Sequence, residues 1–130
     1  MTMPDCSAPL HPQAIAGLRL FNAGEYFEAH EELESAWREE QGEIRNLYQG
    51  ILQAAVMYLH MQRLNYEGGV RMSARCMKLL APWPDTCRGV NVAKLRQDVI
   101  RAAEAWQQLG PERVNEMDWG LLKPVEWLYL

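Results

Sequence analysis

The stretch Phe21-Asn22-Ala23-Gly24-Glu25-Tyr26-Phe27-Glu28-Ala29-His30-Glu31-Glu32-Leu33-Glu34-Ser35-Ala36-Trp37 decides how the rest of the chain is read. On a wheel of 100° per residue, Tyr26, Ala29, Leu33, Ala36 and Trp37 fall on one side and form a buried stripe. His30 lies on the edge of that stripe, and Glu34 follows it one turn later on the same flank. Glu31 is further round, whereas Glu28, Glu32 and Glu39 fall on the opposite, solvated side. This predicts a helix from Glu25 to Glu40, ended by Gly42 and preceded by a stop at Asn22-Ala23-Gly24.

Working outward, Pro12 suits a first helical turn, and Ala14, Ile15, Leu18 and Phe21 recur at steps of three and four, so a short first helix precedes the acidic one. The third helix, Glu43 to Leu64, is apolar almost all round and reads as the centre of a bundle. Its exception is a stripe of Asn46, Gln49, Gln53 and His60, within about 60° of one another on the wheel. Buried polar groups without partners cost about 1 to 3 kcal/mol each, which draws that stripe toward the His30–Glu34 flank.

Asn65 to Gly69 reads as a turn, and a fourth helix from Val70 to Leu80 carries Val70, Ala74, Met77 and Ala81 as its apolar stripe and Arg71, Arg75 and Lys78 as a basic one. Asn91 caps a fifth helix running to Leu109, with Leu95, Val99, Ala102 and Trp106 facing inward. The closing segment, with Trp119, Leu121, Leu122, Trp127 and Leu128, is too apolar for a free tail and is expected to lie over the bundle or against another copy, the basis for a homo-oligomer. No stretch alternates like a strand. Paired helices of similar length hint at a tetratricopeptide-like arrangement, but no repeat is sustained over three units. The fold class expected is all-α, an orthogonal bundle of about five helices, with residues 1–10 as a flexible lead and 11–130 as a single helical domain.

A chain of 130 residues fits one domain with a real core. Apolar residues make up 48% of it, in runs too short and too interrupted to cross a membrane. No basic-then-apolar leader is visible at Met1, so a cytoplasmic setting is expected. Cys6, Cys76 and Cys87 are odd in number and widely spaced, and read as reduced thiols. The net charge of −4 argues against general nucleic-acid binding, yet acidic residues dominate from Glu25 to Glu43 and basic ones from Arg63 to Arg101. An acidic helix packed beside basic ones accounts for this most simply.

The run Phe21-x-x-Gly24-x-Tyr26-x-Glu28-Ala29-His30-Glu31-x-x-Glu34-x-x-Trp37, followed by Gln49-Gly50-x-x-Gln53-Ala54-Ala55 and by Asn65-x-x-Gly68 ahead of Arg75, resembles the small helical proteins grouped as domain of unknown function 309. The resemblance covers roughly residues 15 to 105. It implies an all-α orthogonal bundle and no particular reaction, with Tyr26, Glu28, His30, Glu31, Glu34, Trp37, Gln49 and Gln53 at signature positions. Gly69 stands where an alanine is more usual, which reads as a small change.

The helical wheel and the family motif both single out His30, Glu34, Gln49 and Gln53, and Tyr26, Glu31 and His60 complete the candidate binding cluster. The leading reading is a non-catalytic module that binds a small molecule or a protein partner there. The alternative is a metal-dependent or acid–base hydrolase, since His30-Glu31-x-x-Glu34 varies a helical zinc motif and His30, Glu34 and His60 supply an imidazole-carboxylate set suited to zinc, iron or manganese. A histidine held by a carboxylate is also the arrangement general-base catalysis uses. Nucleic-acid binding through Arg71, Arg75 and Lys78 is a second alternative, set against a simple solvated face because no aromatic residue is interleaved for stacking. No Gly-rich phosphate loop or nucleophile elbow is present.

Overall fold

The computed structural model describes residues 6–128. Five helices carry the fold: α1 (Pro12–Asn22), α2 (Tyr26–Glu39), α3 (Ile44–Gln62), α4 (Tyr66–Leu80) and α5 (Val92–Leu109). Between α4 and α5 a two-stranded hairpin, β1 (Thr86–Cys87) and β2 (Val90–Asn91), pairs antiparallel, and short 3-10 turns at Val114–Glu116 and Trp119–Leu121 follow α5. The protein is an all-α bundle in which α3 is the shared element, packed against α2 on one side and α4 on the other, with α1 on α2 and α5 on α4.

Local chemistry sets the boundaries. Pro12 opens α1, and its cap is the His11 imidazole, whose Nδ1 accepts from the Gln13 N–H at 3.0 Å. Asn91 Oδ1 accepts from the Lys94 N–H and caps α5. Gly24 and Gly42, at φ +79° and +77°, provide the left-handed residues that end α1 and α2. Along α3, Leu47, Tyr48, Ile51, Ala54, Ala55, Met57, Tyr58 and Met61 are buried. Phe21, Tyr26 and Tyr58 meet pairwise with ring centroids 5.3 to 5.6 Å apart, an aromatic knot locking α1 and α2 onto α3.

The fourth helix differs from the sequence reading in two ways. It begins a turn earlier, at Tyr66, because the Asn65 side chain caps it by accepting from the Gly68 N–H. Its buried face is also a different one: Gly68, Gly69, Met72, Ser73, Cys76 and Leu80 point inward, while Ala74 and Ala81 are exposed and Val70 and Met77 are half-buried. The true face joins Met72, Cys76 and Leu80 through Gly68, Gly69 and Ser73, small residues that score weakly on hydropathy but let a neighbour approach closely. Cys76, a free buried thiol, donates to the Gly50 carbonyl of α3 at 3.3 Å, and burial pushes its pKa up to about 12.

Gly69 lies at one of these approaches. A Cβ there meets Trp106 Nε1 at 2.6 Å, and that same indole N–H donates to the Tyr66 carbonyl at 3.1 Å. The departure from alanine is thus the complement of a fully buried tryptophan on α5. Gly69→Ala should lower unfolding stability by about 1 to 3 kcal/mol in denaturant melts, despite the better helix propensity of alanine. The loss should shrink in a Gly69→Ala/Trp106→Phe background relative to Trp106→Phe alone; equal losses in both would show that the ring is not the obstacle.

The two ends of the chain meet at the hairpin. Arg88 and Gly89 form its turn, both with positive φ (49° and 82°), the pattern of a type I′ turn. Contrary to the expected reduced thiols, Cys6 and Cys87 are joined in a disulfide, and the Arg88 N–H donates to the Cys6 carbonyl at 2.6 Å. Leu10 is buried in the core, so residues 6–10 are tied down where a flexible lead was expected; residues 1–5 of that lead lie outside the described residues. At the other end Trp127 bridges Val90, the Asn91 N–H donates to the Glu126 carbonyl, and the Asn22 side chain bonds both backbone groups of Val125 at 2.9 and 2.7 Å. Of the two expected placements for the apolar closing segment, the bundle surface is the one observed.

Candidate functional site

The flank of α2 bearing His30 and Glu34 faces α3 and α4 across an open groove of about 400 Å³, lined by His30, Glu34, Trp37, Gln49, Leu52, Gln53, Val56, Met72 and Arg75. Helical spacing places the polar members. His30 and Glu34 are one turn apart on α2, and Gln49 and Gln53 one turn apart on α3, so two parallel polar ledges border an apolar floor of Leu52, Val56 and Met72. Arg75 reaches the rim from α4.

His30 Nε2 lies 3.3 Å from one oxygen of Glu34, and the other oxygen pairs with the Arg38 guanidinium. The Glu34 carboxylate is therefore neutralised from within its own helix. Both groups are about one-third exposed, so water screens the pair and its net energy is small. Gln53 Oε1, in contrast, is buried and has no hydrogen-bond partner. A carbonyl oxygen in that state carries a desolvation cost of about 1 to 3 kcal/mol that a donor would remove. Arg75 is exposed and makes no ion pair among the described residues, as do Arg71 and Lys78 on the same helix. The expected pairing of the acidic α2 with these basic residues of α4 is not found: α2 uses its own Arg38.

Of the seven residues singled out in the sequence, His30, Glu34, Gln49 and Gln53 come together in the groove. Glu31 is exposed and borders a shallower recess on the outer side of α2 with His30, Glu34, Ser35 and Arg38. Tyr26 is buried in the aromatic knot and does not line the groove. His60 is displaced as well. It shares an angle with Gln53 on the wheel but stands seven residues on, about 10 Å further along the axis. Its Nδ1 accepts from the Asn65 side chain at 3.1 Å, beside the start of α4. His30, Glu34 and His60 consequently form no triad, and among the described residues no three His, Cys, Asp or Glu side chains are placed to hold a metal ion. Trp37, Met72 and Arg75 enter the groove without having been identified as a set; only the register of α4 against α3 brings the latter two there.

The position of His60 gives it a pH signature. Burial first, then the nearby Arg71 and Arg63, hold its pKa below the ordinary histidine value. The unfolded chain therefore binds the His60 proton more readily than the folded one just below pH 6.5, and stability contributed by this residue is complete above that pH and declines on acidification. A His60→Gln variant should show a flatter stability profile between pH 7 and 5 than the parent in urea melts at each pH; an unchanged slope would remove His60 from this role.

A second buried polar cluster, at the opposite edge of α3, escaped sequence reasoning altogether. Arg88 Nη1 donates to Glu40 at 2.9 Å and to the Tyr48 hydroxyl at 3.0 Å. That hydroxyl also accepts from the His11 N–H, and His11 Nε2 donates to Glu39 at 2.6 Å, its Nδ1 being occupied by the helix cap. Nothing periodic marks Arg88. Two clefts of about 500 and 430 Å³ lie nearby, on either side of Trp127 and Leu128; Asp85 there is held by Arg96 and Arg88 by Glu40, Arg19 and Glu126 stand exposed at their edges, and among the described residues neither cleft is lined by a buried side-chain acceptor without a partner such as Gln53 Oε1. The groove at α2, α3 and α4 is thus the better candidate site despite being no larger.

These features define a class: an all-α bundle whose central helix offers a carboxamide ledge to a histidine–carboxylate pair. Residues 14–72, which include both ledges and end at the Met72 floor, match the model of the family described as Domain of unknown function (DUF309), the same family the motif resembles. An "Uncharacterized protein" of Aquifex aeolicus (strain VF5) is 30% identical over 77 residues, which is 58% of this chain and 23% of that protein. The chain thus spans about a quarter of that relative's length. No helix among the described residues is long and apolar enough to cross a membrane.

Proposed function

We propose that this protein is a non-catalytic binding module whose ligand, a small molecule or a short partner segment, occupies the groove between α2, α3 and α4. The observation that carries the reading is Gln53 Oε1, a buried acceptor without a partner at the wall of a groove whose other polar groups converge on the same space. A turn of the Gln53 amide into the groove lets a ligand donor satisfy it, and Gln49 and the His30–Glu34 pair add adjustable hydrogen-bonding groups above an apolar floor, the usual composition of a small-molecule site. A cytoplasmic setting and a single domain over residues 11–130 belong to the same proposal. The disulfide qualifies that setting, because a reducing compartment would hold Cys6 and Cys87 as thiols.

Nuclear magnetic resonance screening of the full chain against a library of polar heterocycles and carboxylates tests the proposal. Hits should perturb the Gln49 and Gln53 side-chain amides and the Trp37 indole together, and Gln53→Leu should weaken them about tenfold. Hits that cluster elsewhere, or that ignore Gln53→Leu, would sink it. The hydrolase alternative keeps one observation in its favour, the His30–Glu34 contact at 3.3 Å. Stoichiometric zinc, iron or manganese in protein purified without chelator, lost on His30→Ala, would favour it over simple binding.

A further inference from the structure

The charges around the groove narrow the chemistry of its occupant. Glu34 has one oxygen paired with the Arg38 guanidinium and the other 3.3 Å from His30 Nε2, so its charge is met within α2 and the groove does not call for a cation. Arg75 is the one lining residue whose formal charge has no counterpart among the described residues. Arg71, four residues before it, and Lys78, three after it, are likewise exposed and unpaired, and they extend the positive surface along α4 beyond the rim. An anion at the rim gains most from an arginine, whose planar donors suit a phosphate.

Further in, the requirement changes. Gln53 lines the groove with its Oε1 buried and without a donor, so turning its amide toward a ligand N–H gains a hydrogen bond, and Gln49, one turn away, brings a second carboxamide with both donor and acceptor capacity. Carboxamides on one helix face can read the mixed donor and acceptor edge of a planar heterocycle. The floor of Leu52, Val56 and Met72 with the Trp37 indole at one end accepts the flat body of such a ring, and a volume of about 400 Å³ lies within the range of sites for ligands of this size.

Resting on the binding reading above, we infer that the ligand is a nucleoside monophosphate, its base edge on Gln53 and Gln49 and its phosphate on Arg75. The three demands of the groove, an anion outside, an N–H donor inside and a planar apolar body between them, are met together in that class of molecule.

Titration calorimetry on the full chain with AMP, GMP, CMP and UMP, each beside its nucleoside, and with inorganic phosphate tests the inference. At least one nucleotide should bind about tenfold tighter than its nucleoside, because a charge-assisted phosphate contact is added, and tighter than phosphate alone. Arg75→Gln should bring nucleotide and nucleoside to equal affinity, Gln53→Leu should weaken both, and Arg19→Gln, an exposed arginine outside the groove, should change neither. Equal binding of nucleotide and nucleoside would overturn the inference. So would failure of all four nucleotides while library fragments still perturb Gln53, an outcome that leaves the binding module intact; loss of both signals removes module and ligand class together. A single-stranded oligouridylate that binds with steep salt dependence and ignores Gln53→Leu would assign the basic face of α4 to a polymer and also overturn it.

Discussion

Replacing Arg88 with methionine should lower unfolding stability by about 3 kcal/mol and the melting temperature by about 10 °C, an effect out of proportion to a single residue in a two-residue turn. The side chain is 5% exposed and its guanidinium bonds both Glu40 and the Tyr48 hydroxyl, so its removal takes the cation from a half-buried carboxylate and leaves the buried phenol with the His11 N–H as its remaining donor. The backbone adds a second contribution of opposite sign. Arg88 holds φ at 49°, a left-handed conformation that costs a non-glycine residue about 1 kcal/mol or more. Arg88→Gly loses the same ion pair but relieves that strain, and should fall between the parent and Arg88→Met in urea melts. Glu40→Gln should cost markedly less in the Arg88→Met background than alone. Equal stability of Arg88→Met and the parent would show that the pair only breaks even against its desolvation.

Cleaving the Cys6–Cys87 disulfide should have a comparable effect. The bond closes a loop of 81 residues, and constraint of the unfolded chain over that length corresponds to about 4 kcal/mol. Cys6→Ser is the informative variant because Cys6 is half-buried and Cys87 fully buried. The melting temperature of the parent should drop on addition of dithiothreitol to that of Cys6→Ser, and Cys6→Ser itself should not respond. A parent insensitive to reductant, with three titratable thiols after unfolding, would show that the bond does not form. Arg88 and Cys87 are neighbours on one hairpin, so the two effects should not be additive.

Much of the fold is legible in the chain. The stripe Tyr26, Ala29, Leu33 and Ala36 is the buried face of α2, and the almost uniformly apolar α3 is the shared central helix. Both are strong periodic signals over more than three turns, and caps such as Asn91 and stops such as Gly24 and Gly42 act locally, where sequence is a direct record. Periodicity failed for α4. There the buried face mixes Gly68, Gly69 and Ser73 with Met72, Cys76 and Leu80, and the small polar and glycine positions break the hydropathy pattern in favour of a competing stripe through Ala74 and Ala81. Small residues are chosen for how closely something can approach, and what approaches, Trp106 of α5, lies 37 residues away from Gly69 in the chain.

The groove divides along the same line. His30 with Glu34 and Gln49 with Gln53 could be paired in advance because each pair is one turn apart on its helix. His60 could not be excluded, since a wheel discards distance along the axis. The rim arginine and the methionine floor depend on how α4 packs across α3, and the partner of Glu34 is settled by a choice between Arg38 on its own helix and the basic face of α4.

The helices, the central place of α3 and the His30–Glu34 flank are written in the chain, because burial and capping are encoded residue by residue at helical spacing. Packing alone settles what joins Cys6 to Cys87, why Arg88 is buried, which face of α4 turns inward, and that Arg75 reaches the groove with its charge unmatched among the described residues. Each of those depends on groups brought together from distant parts of the chain, and the free energy that selects among the possible pairings exists only once the helices have packed.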